Sequence, residues 1–218
     1  MDNMKKCWND ITVADLIKIR EIDSLQMATD DEKNLKVAAL LAGIPYDELL
    51  MIPLDKVRGI MDNTDFLMQK PQPAKARNTY TINGKKYKLF KTPSEMTVAQ
   101  YISFQQIQAD GFEKRPLEML SLFLIPEGHQ YNDGYDMEEV MDDMGNMNIC
   151  DALGVCCFFM RRCLKSIRHI KVLSTLMLKV ERLKAPKTKK EAIRATEIQI
   201  GLIMEELEQL YGSMLYTP

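Results

Sequence analysis

The dipeptide Asn83-Gly84 constrains the fold more than any other feature of this chain. It lies between two short runs rich in β-branched and aromatic residues, TYTI at 79–82 and KKYKLF at 85–90. Asn and Gly both tolerate positive φ angles, and a type I′ turn made of two such residues matches the twist of the flanking strands. The sequence therefore predicts a β-hairpin. Because an isolated hairpin is marginally stable in water, it must pack on helices or pair with strands of another subunit.

Helical patterns precede the hairpin. Two Thr residues, each with an acid three positions later, have the spacing of helix N-caps. These pairs are Thr12 with Asp15 and Thr29 with Glu32. Gly43 is placed to end the second helix, and two further short helices follow it. We interpret residues 1–68 as an N-terminal helical unit, and residues 69–78, with two prolines and several basic side chains, as an extended linker.

Helical patterns return after the hairpin. Thr97 with Gln100 starts one helix at capping-box spacing, and PLEMLSLFLI predicts another that ends at Pro126. A turn-rich loop, a short acidic helix and a longer apolar helix complete a domain over residues 79–168. Apolar residues at spacings of three and four then predict an antiparallel helical hairpin over 169–218. The expected fold class is mainly α, a helical domain with one central β-hairpin and a C-terminal antiparallel helical hairpin.

An internal echo links the two helical regions. Thr12-Val13-Ala14 and Thr97-Val98-Ala99 begin helices whose apolar positions match, and each is followed by an apolar helix that ends near Ile-Pro. A duplicated helix pair is one explanation. Common capping chemistry is the other, because it can imitate a short repeat.

The sequence offers no motif for catalysis or cofactor binding. It contains neither G-x-G-x-x-G nor G-x-x-x-x-G-K-[ST], and two histidines without a nucleophile elbow give no acid–base arrangement. The five cysteines are odd in number and include no C-x-x-C, so we expect buried, reduced thiols and no zinc site. The acids between 133 and 143 lack EF-hand spacing and are typical of a solvated helix start. We expect a protein that is not an enzyme, with no cofactor, no metal and no small-molecule substrate.

No segment is typical of export or membrane insertion. The start, MDNMKKCWND, lacks the apolar core of a signal peptide, and the apolar run at 149–160 is too short to span a bilayer. We therefore expect a protein made in the cytoplasm that does not enter a membrane.

Charge is sorted along the chain. Residues 70–91 carry a formal charge of +7 and residues 161–190 carry +10, so that the rest of a chain with a net charge of −2 carries −19. Copies of such a molecule can associate, acidic face against basic face. The candidate partner-binding residues are Lys85, Lys86, Tyr87, Lys88, Arg161, Arg162, Lys165, Arg168, Asp142 and Asp143. Two alternatives stay open: these basic stretches are solvated faces, or they bind nucleic acid with Tyr80, Tyr87 and Phe90 stacking on bases.

Two stretches resemble proteins of tailed bacteriophages. LSLFLIPEGHQYNDGYDMEEV, with TINGKKYKL and TVAQYISFQ before it, resembles small virion and morphogenesis proteins of phages that infect gut Bacteroidetes, including the crAss-like group. The pattern ITVADLIKIREI through DEKNLKVAALLAGIPYDELL to DFLM is similar to phage tail-assembly chaperones and related tail-region proteins. The resemblance covers residue 11 to about 160. The basic C-terminal helical pair has no counterpart in it.

The resemblance implies a non-enzymatic virion protein made in the host cytoplasm. We expect a structural subunit of a head-to-tail connector, neck or tail ring, whose partners are copies of itself and other virion or tail proteins. The alternative is a tail-assembly chaperone that is absent from the mature virion. It would use methionine-rich helices to cover a partner's apolar segment, since the chain has 16 methionines. A basic-face factor for packaging nucleic acid is the second alternative.

Overall fold

In the computed structural model the described residues are 4–26, 28–90, 95–110, 114–131, 133–162 and 198. Residues 1–90 and 97–155 form one compact unit, and residues 91–96 with 156–218 form a second. The described part is mainly helical with one small antiparallel sheet, which confirms the expected fold class. The predicted C-terminal helical hairpin, 169–218, lies outside the described residues except for residue 198.

Four helices build the N-terminal part of the first unit. They are α1 (Val13–Asp23), α2 (Asp30–Ala42), α3 (Tyr46–Leu50) and α4 (Leu54–Asp62), and 3-10 helices lie at Trp8–Asp10 and Asp65–Met68. Thr12 caps α1, and Asp15 completes a capping box, while Gly43 ends α2 with a left-handed φ of 67°. These predicted helix ends are confirmed. Buried side chains of the last three helices, including Leu49 and Ile60, pack together as a small core.

The segment 69–78 is extended and runs along α8, the helix at 149–162. The Ala74 amide donates to the Cys150 carbonyl at 2.8 Å, and Arg77 forms an ion pair with Asp151. A Cβ at Gly154 would lie 2.2 Å from the Ala74 carbonyl oxygen. The absence of a side chain at Gly154 therefore allows the segment to approach the helix this closely.

The hairpin forms where the sequence predicts it. Strands β1 (Thr79–Ile82) and β2 (Lys85–Leu89) are antiparallel, and the turn residues Asn83 and Gly84 have φ angles of 50° and 78°. These two positive φ angles are what a type I′ turn requires, so the predicted turn is confirmed.

A third strand, β3 (Leu124–Pro126), completes the sheet in the order β1-β2-β3. The prediction that the helix before this strand continues through Ile125 is wrong, because that helix ends at Phe123. Pro126 disfavours helical backbone at the residue before it, and Leu124 instead pairs with Leu89 of β2.

The remaining helices of the first unit lie before and after β3 along the chain. They are α5 (Val98–Asp110), α6 (Pro116–Phe123), α7 (Met137–Gly145) and the start of α8. The Gln100 amide donates to the Thr97 hydroxyl at 3.1 Å, which confirms the predicted cap of α5. The two echo segments thus share their caps but not their ends, because Gly43 ends α2 in a left-handed turn while α6 runs into β3.

The N-terminal segment is fixed to the start of α8. The Val13 amide donates to the Met147 carbonyl at 2.9 Å, and the Ile149 amide donates to the Ile11 carbonyl at 2.9 Å. The Asn148 side chain donates to the Asn9 carbonyl at 2.5 Å and accepts from the Cys150 amide at 2.8 Å. One side chain therefore caps α8 and binds the segment before α1.

The cysteines differ in exposure. Cys150 and Cys156 are buried and Cys157 is half-buried, whereas Cys7 is exposed and its thiol lies 3.3 Å from the Asp10 carboxylate. The expectation of buried thiols is wrong at Cys7 because this residue precedes a 3-10 helix that has no buried residue. Cys163 lies outside the described residues.

No helix in the described ranges combines the length and the apolar character needed to cross a membrane.

Candidate interaction surface

A buried carboxylate joins α7 to the hairpin. Asp143, 5% exposed, accepts hydrogen bonds from Asn83 Nδ2 at 2.7 Å and Lys85 Nζ at 3.0 Å, and also from the Tyr87 hydroxyl. Lys85 Nζ also lies 2.6 Å from the Glu139 carboxylate. Glu139 and Asp143 are four residues apart and therefore share the face of α7 that meets the hairpin. The sequence predicts a turn at Asn83 and no further role for it. In the structure its side chain also donates a hydrogen bond to this carboxylate.

These contacts shift the ionisation of the cluster. Burial alone would raise the pKa of Asp143, but hydrogen bonds from Tyr87, Asn83 and Lys85 outweigh burial and hold that pKa below its ordinary value of 3.8. Burial, followed by the hydrogen bond to Asp143, raises the pKa of Tyr87 well above its ordinary value of 10.0. Asp143 therefore stays charged and Tyr87 stays neutral near neutral pH, which keeps α7 bonded to the hairpin.

The opposite side of the hairpin is exposed and basic. Thr79 pairs with Lys88 and Thr81 pairs with Lys86, and residues directly opposite each other in a sheet share a face. All four side chains are exposed, whereas Tyr87 between the two lysines is buried. We call these four residues the basic sheet face.

Helix α7 carries an exposed acidic face beside the hairpin. Glu138 and Asp142 are exposed and lie four residues apart, on one side of the helix. Glu138 directly precedes Glu139, and Asp142 directly precedes Asp143. One residue corresponds to a rotation of about 100° around the helix axis, so the exposed pair points about 100° away from the pair that binds the hairpin. We call Glu138 and Asp142 the acidic helix face.

Two groups of large apolar side chains are exposed. Met51 is 86% exposed and Leu54 67% exposed where α3 meets α4, and Met68 is 91% exposed at the end of the next 3-10 helix. On α5, Val98, Tyr101 and Ile102 are also exposed and lie on one face by their spacing. The spacing of apolar residues in the sequence does not show whether such a face packs within the chain or stays exposed.

The structure divides the predicted partner-binding residues. Lys85 and Tyr87 each donate a hydrogen bond to Asp143 within the chain, so these three side chains already have partners. Lys86, Lys88 and Asp142 are exposed on the first unit, and Arg161 and Arg162 are exposed on α8 in the second. Lys165 and Arg168 lie outside the described residues.

The hypothesis that hairpin aromatics stack on nucleic-acid bases is wrong for two of its three residues. Tyr80 is 4% exposed and Tyr87 is 1% exposed, because both point into the core side of the sheet. A stacking platform requires an accessible ring face. Tyr80 and Tyr87 therefore cannot stack on bases beside the exposed lysines of the hairpin.

A shallow depression of about 430 Å³ lies between α1 and the start of α6. Its walls mix charges of both signs, among them Arg20, Glu21, Lys114 and Glu118. Its one hydroxyl nucleophile, Ser24, donates to the Glu21 carbonyl at 2.7 Å rather than to a base. Ser24 therefore does not form a nucleophile–base pair in this depression.

No protein-family model, no curated protein and no solved structure matches this chain.

Proposed function

We propose that this chain is a non-enzymatic structural subunit of a tailed-phage particle, at the head-to-tail connector, neck or tail ring, that assembles with copies of itself. The observation that carries the proposal is the pair of exposed, oppositely charged surfaces on one compact unit, the basic sheet face and the acidic helix face. The phage particle itself is proposed from the resemblance of residues 11–160 to phage virion and tail-region proteins. Its location would be the virion, after synthesis in the host cytoplasm.

The two surfaces favour a head-to-tail contact. The acidic face of one copy can meet the basic face of the next, so an open chain of copies keeps one unused acidic face at one end and one unused basic face at the other. Such a heterologous contact closes into a ring when the rotation between neighbours divides a full turn. Its charges are exposed, so association should weaken as salt screens them over a Debye length of about 8 Å at physiological ionic strength.

Charge reversal tests this contact. The full-length chain should sediment as higher oligomers in low salt and as smaller species in high salt. The double variant Lys86→Glu/Lys88→Glu and the double variant Glu138→Lys/Asp142→Lys should each weaken self-association about tenfold or more. A 1:1 mixture of the two variants should restore association. Both faces are acidic in the first variant and both are basic in the second, so every contact between unlike variants joins opposite charges.

The matched control for Lys86→Glu/Lys88→Glu is Lys18→Glu/Lys56→Glu, which makes the same change in net charge at two exposed lysines outside both faces. This control should associate like the unaltered chain. Self-association that ignores both face variants, or a full-length chain that stays monomeric at high concentration in low salt, would refute the charged-face contact.

An assembly chaperone is the second candidate, and the exposed Met51, Leu54 and Met68 favour it. Flexible methionine side chains adapt to irregular apolar partners. A chaperone should keep an aggregating tail protein of the same phage soluble, and Met51→Lys/Leu54→Lys should abolish that effect while leaving the circular dichroism spectrum unchanged. Gln26→Lys/Gln72→Lys, which makes the same change in net charge at two exposed residues away from this surface, is the control. If Met51→Lys/Leu54→Lys protects the tail protein as well as the unaltered chain does, these side chains are not the binding surface.

A further inference from the structure

Strand β1 forms one edge of the sheet. Its pairing partner among the described residues is β2, and the sheet order is β1-β2-β3. The backbone groups along its other long side are therefore available to a further strand.

The hairpin register shows which groups point outward. A two-residue turn closes on the hydrogen-bonded pair Ile82 and Lys85, and antiparallel pairs alternate from there. The Leu89 amide donates to the Asn78 carbonyl at 2.9 Å, which fits this alternation. Tyr80 and Ile82 consequently direct their N–H and C=O groups at β2, while Thr79 and Thr81 direct theirs outward.

No hydrogen bond from the described residues reaches these outward groups of Thr79 and Thr81, and both side chains are exposed. Natural edge strands are commonly protected by a charged residue, a proline or a bulge. Strand β1, with the sequence TYTI, carries no charge and no proline. Within the described residues, the feature that limits further pairing of β1 is its short length of four residues.

We infer that β1 is a strand-pairing site whose partner is β1 of a second copy, antiparallel about a two-fold axis through Tyr80. In this register Thr79 faces Thr81 of the second copy, and Thr81 faces Thr79 of the second copy. Both pairs consist of residues with outward backbone groups, so the junction forms four hydrogen bonds and a six-stranded sheet. The inference rests on the proposed self-assembly, for which it supplies one specific contact.

Charge favours a second copy over an acidic strand. The pairing places threonine opposite threonine, which is a favourable cross-strand pair without charge. The lysines of the two β2 strands would be three strand spacings apart, about 14 Å, which exceeds the Debye length of about 8 Å at physiological ionic strength. An acidic strand at the same edge would stand two spacings, about 10 Å, from Lys86 and Lys88, and would therefore gain little from them.

Amide hydrogen exchange of the full-length chain, followed residue by residue with NMR, tests this geometry. In dilute solution the Thr79 and Thr81 amides should exchange fast, and those of Tyr80 and Ile82 slowly. At millimolar concentration the Thr79 and Thr81 amides should become protected about tenfold or more as the dimer forms. Concentration-independent exchange at Thr79 and Thr81 would overturn the inference.

Variants at Thr81 separate edge pairing from loss of folding. Thr81→Pro removes the outward N–H and leaves the bonds to β2 in place, whereas Thr81→Val keeps that N–H. Dimerisation measured by sedimentation should weaken about tenfold or more in Thr81→Pro and stay unchanged in Thr81→Val. Equal association of these two variants would overturn the inference.

A charge pair gives an independent check when Thr81→Pro fails to fold. Thr81→Lys should weaken the dimer, and Thr79→Glu/Thr81→Lys should restore it, because the introduced glutamate of each copy would then face the introduced lysine of the other. Failure of that restoration would count against the two-fold register. Lys86→Glu/Lys88→Glu should leave this dimer intact. If association is lost in Lys86→Glu/Lys88→Glu but kept in Thr81→Lys, the result would support the charged-face contact and overturn β1 pairing.

Discussion

Replacement of Asp143 by Asn should lower the free energy of unfolding by about 2–4 kcal/mol, because it removes the charge from a buried carboxylate that three donors contact. The carboxylate accepts three hydrogen bonds, from Asn83, Lys85 and Tyr87, and is 5% exposed. Hydrogen bonds to a charged group contribute about 1.5–3 kcal/mol each. Asparagine keeps one acceptor oxygen and directs an N–H₂ group at donors, so about half of that sum is lost.

Urea unfolding followed by far-UV circular dichroism measures this effect. Tyr87→Phe should cost about 1–2 kcal/mol, since it removes one of the three donors. The double variant Asp143→Asn/Tyr87→Phe should be less destabilised than the sum of the single variants, because both changes remove the same hydrogen bond. Lys88→Ala, on the exposed side of the hairpin, is the matched control and should change little.

The pH dependence gives a second readout of the same cluster. The folded-state pKa of Asp143 is lowered, so its contribution is complete above the ordinary value of 3.8 and is lost as the pH falls through the folded-state pKa. The gap in stability between the unaltered chain and Asp143→Asn should therefore be constant near neutral pH and should narrow below pH 3.8. The folded-state pKa of Tyr87 is raised, so its contribution is lost as the pH rises above 10.0, and Tyr87→Phe should remove that loss.

An Asp143→Asn variant within about 0.5 kcal/mol of the unaltered chain, the range of ordinary surface substitutions, would refute this reasoning. The same holds for a stability gap that stays constant below pH 3.8 in a chain that is still folded there. In either case the carboxylate would not be the group that holds α7 to the hairpin.

Three further substitutions test how the first unit is packed. Gly154→Ala should destabilise by about 1–3 kcal/mol, because its Cβ would stand 2.2 Å from the Ala74 carbonyl oxygen. Gly59→Ala, in an exposed part of α4 with nothing within 4 Å of the new Cβ, should instead stabilise by about 0.5–1 kcal/mol in the same urea titration. Asn148→Ala should cost about 1–2 kcal/mol through the lost α8 cap and should release the N-terminal segment, visible as a change in the fluorescence of Trp8, the chain's single tryptophan. A Gly154→Ala variant as stable as Gly59→Ala, or unchanged Trp8 fluorescence in Asn148→Ala, would contradict the packing described for that site.

Local chemistry made parts of the fold predictable from sequence. Asn83-Gly84 predicts its turn because its φ angles depend on two residues alone, and Thr12 predicts its cap because the partner amide is three residues away. Strand β3 was missed, since a short apolar run such as Leu124–Pro126 suits a helix end as well as a strand. Its pairing with β2, a contact distant in sequence, decides between them.

The candidate surface was predictable in composition but not in arrangement. The lysines of the hairpin and the acids of α7 stand out in the sequence, and strand alternation indicates that Lys86 and Lys88 share a face. Which acid meets the hairpin depends on the rotation of α7 about its axis, which tertiary packing sets. That rotation turns Asp143 inward and leaves its neighbour Asp142 exposed.

The proposal that this chain belongs to a phage particle is tested most directly by quantitative mass spectrometry of virions purified from a phage whose genome contains its coding sequence. We expect the protein in mature particles, at a copy number in a fixed whole-number ratio to the other connector or tail subunits. Its absence from mature particles, together with its presence in infected-cell lysate, would contradict the structural role and would favour the assembly chaperone.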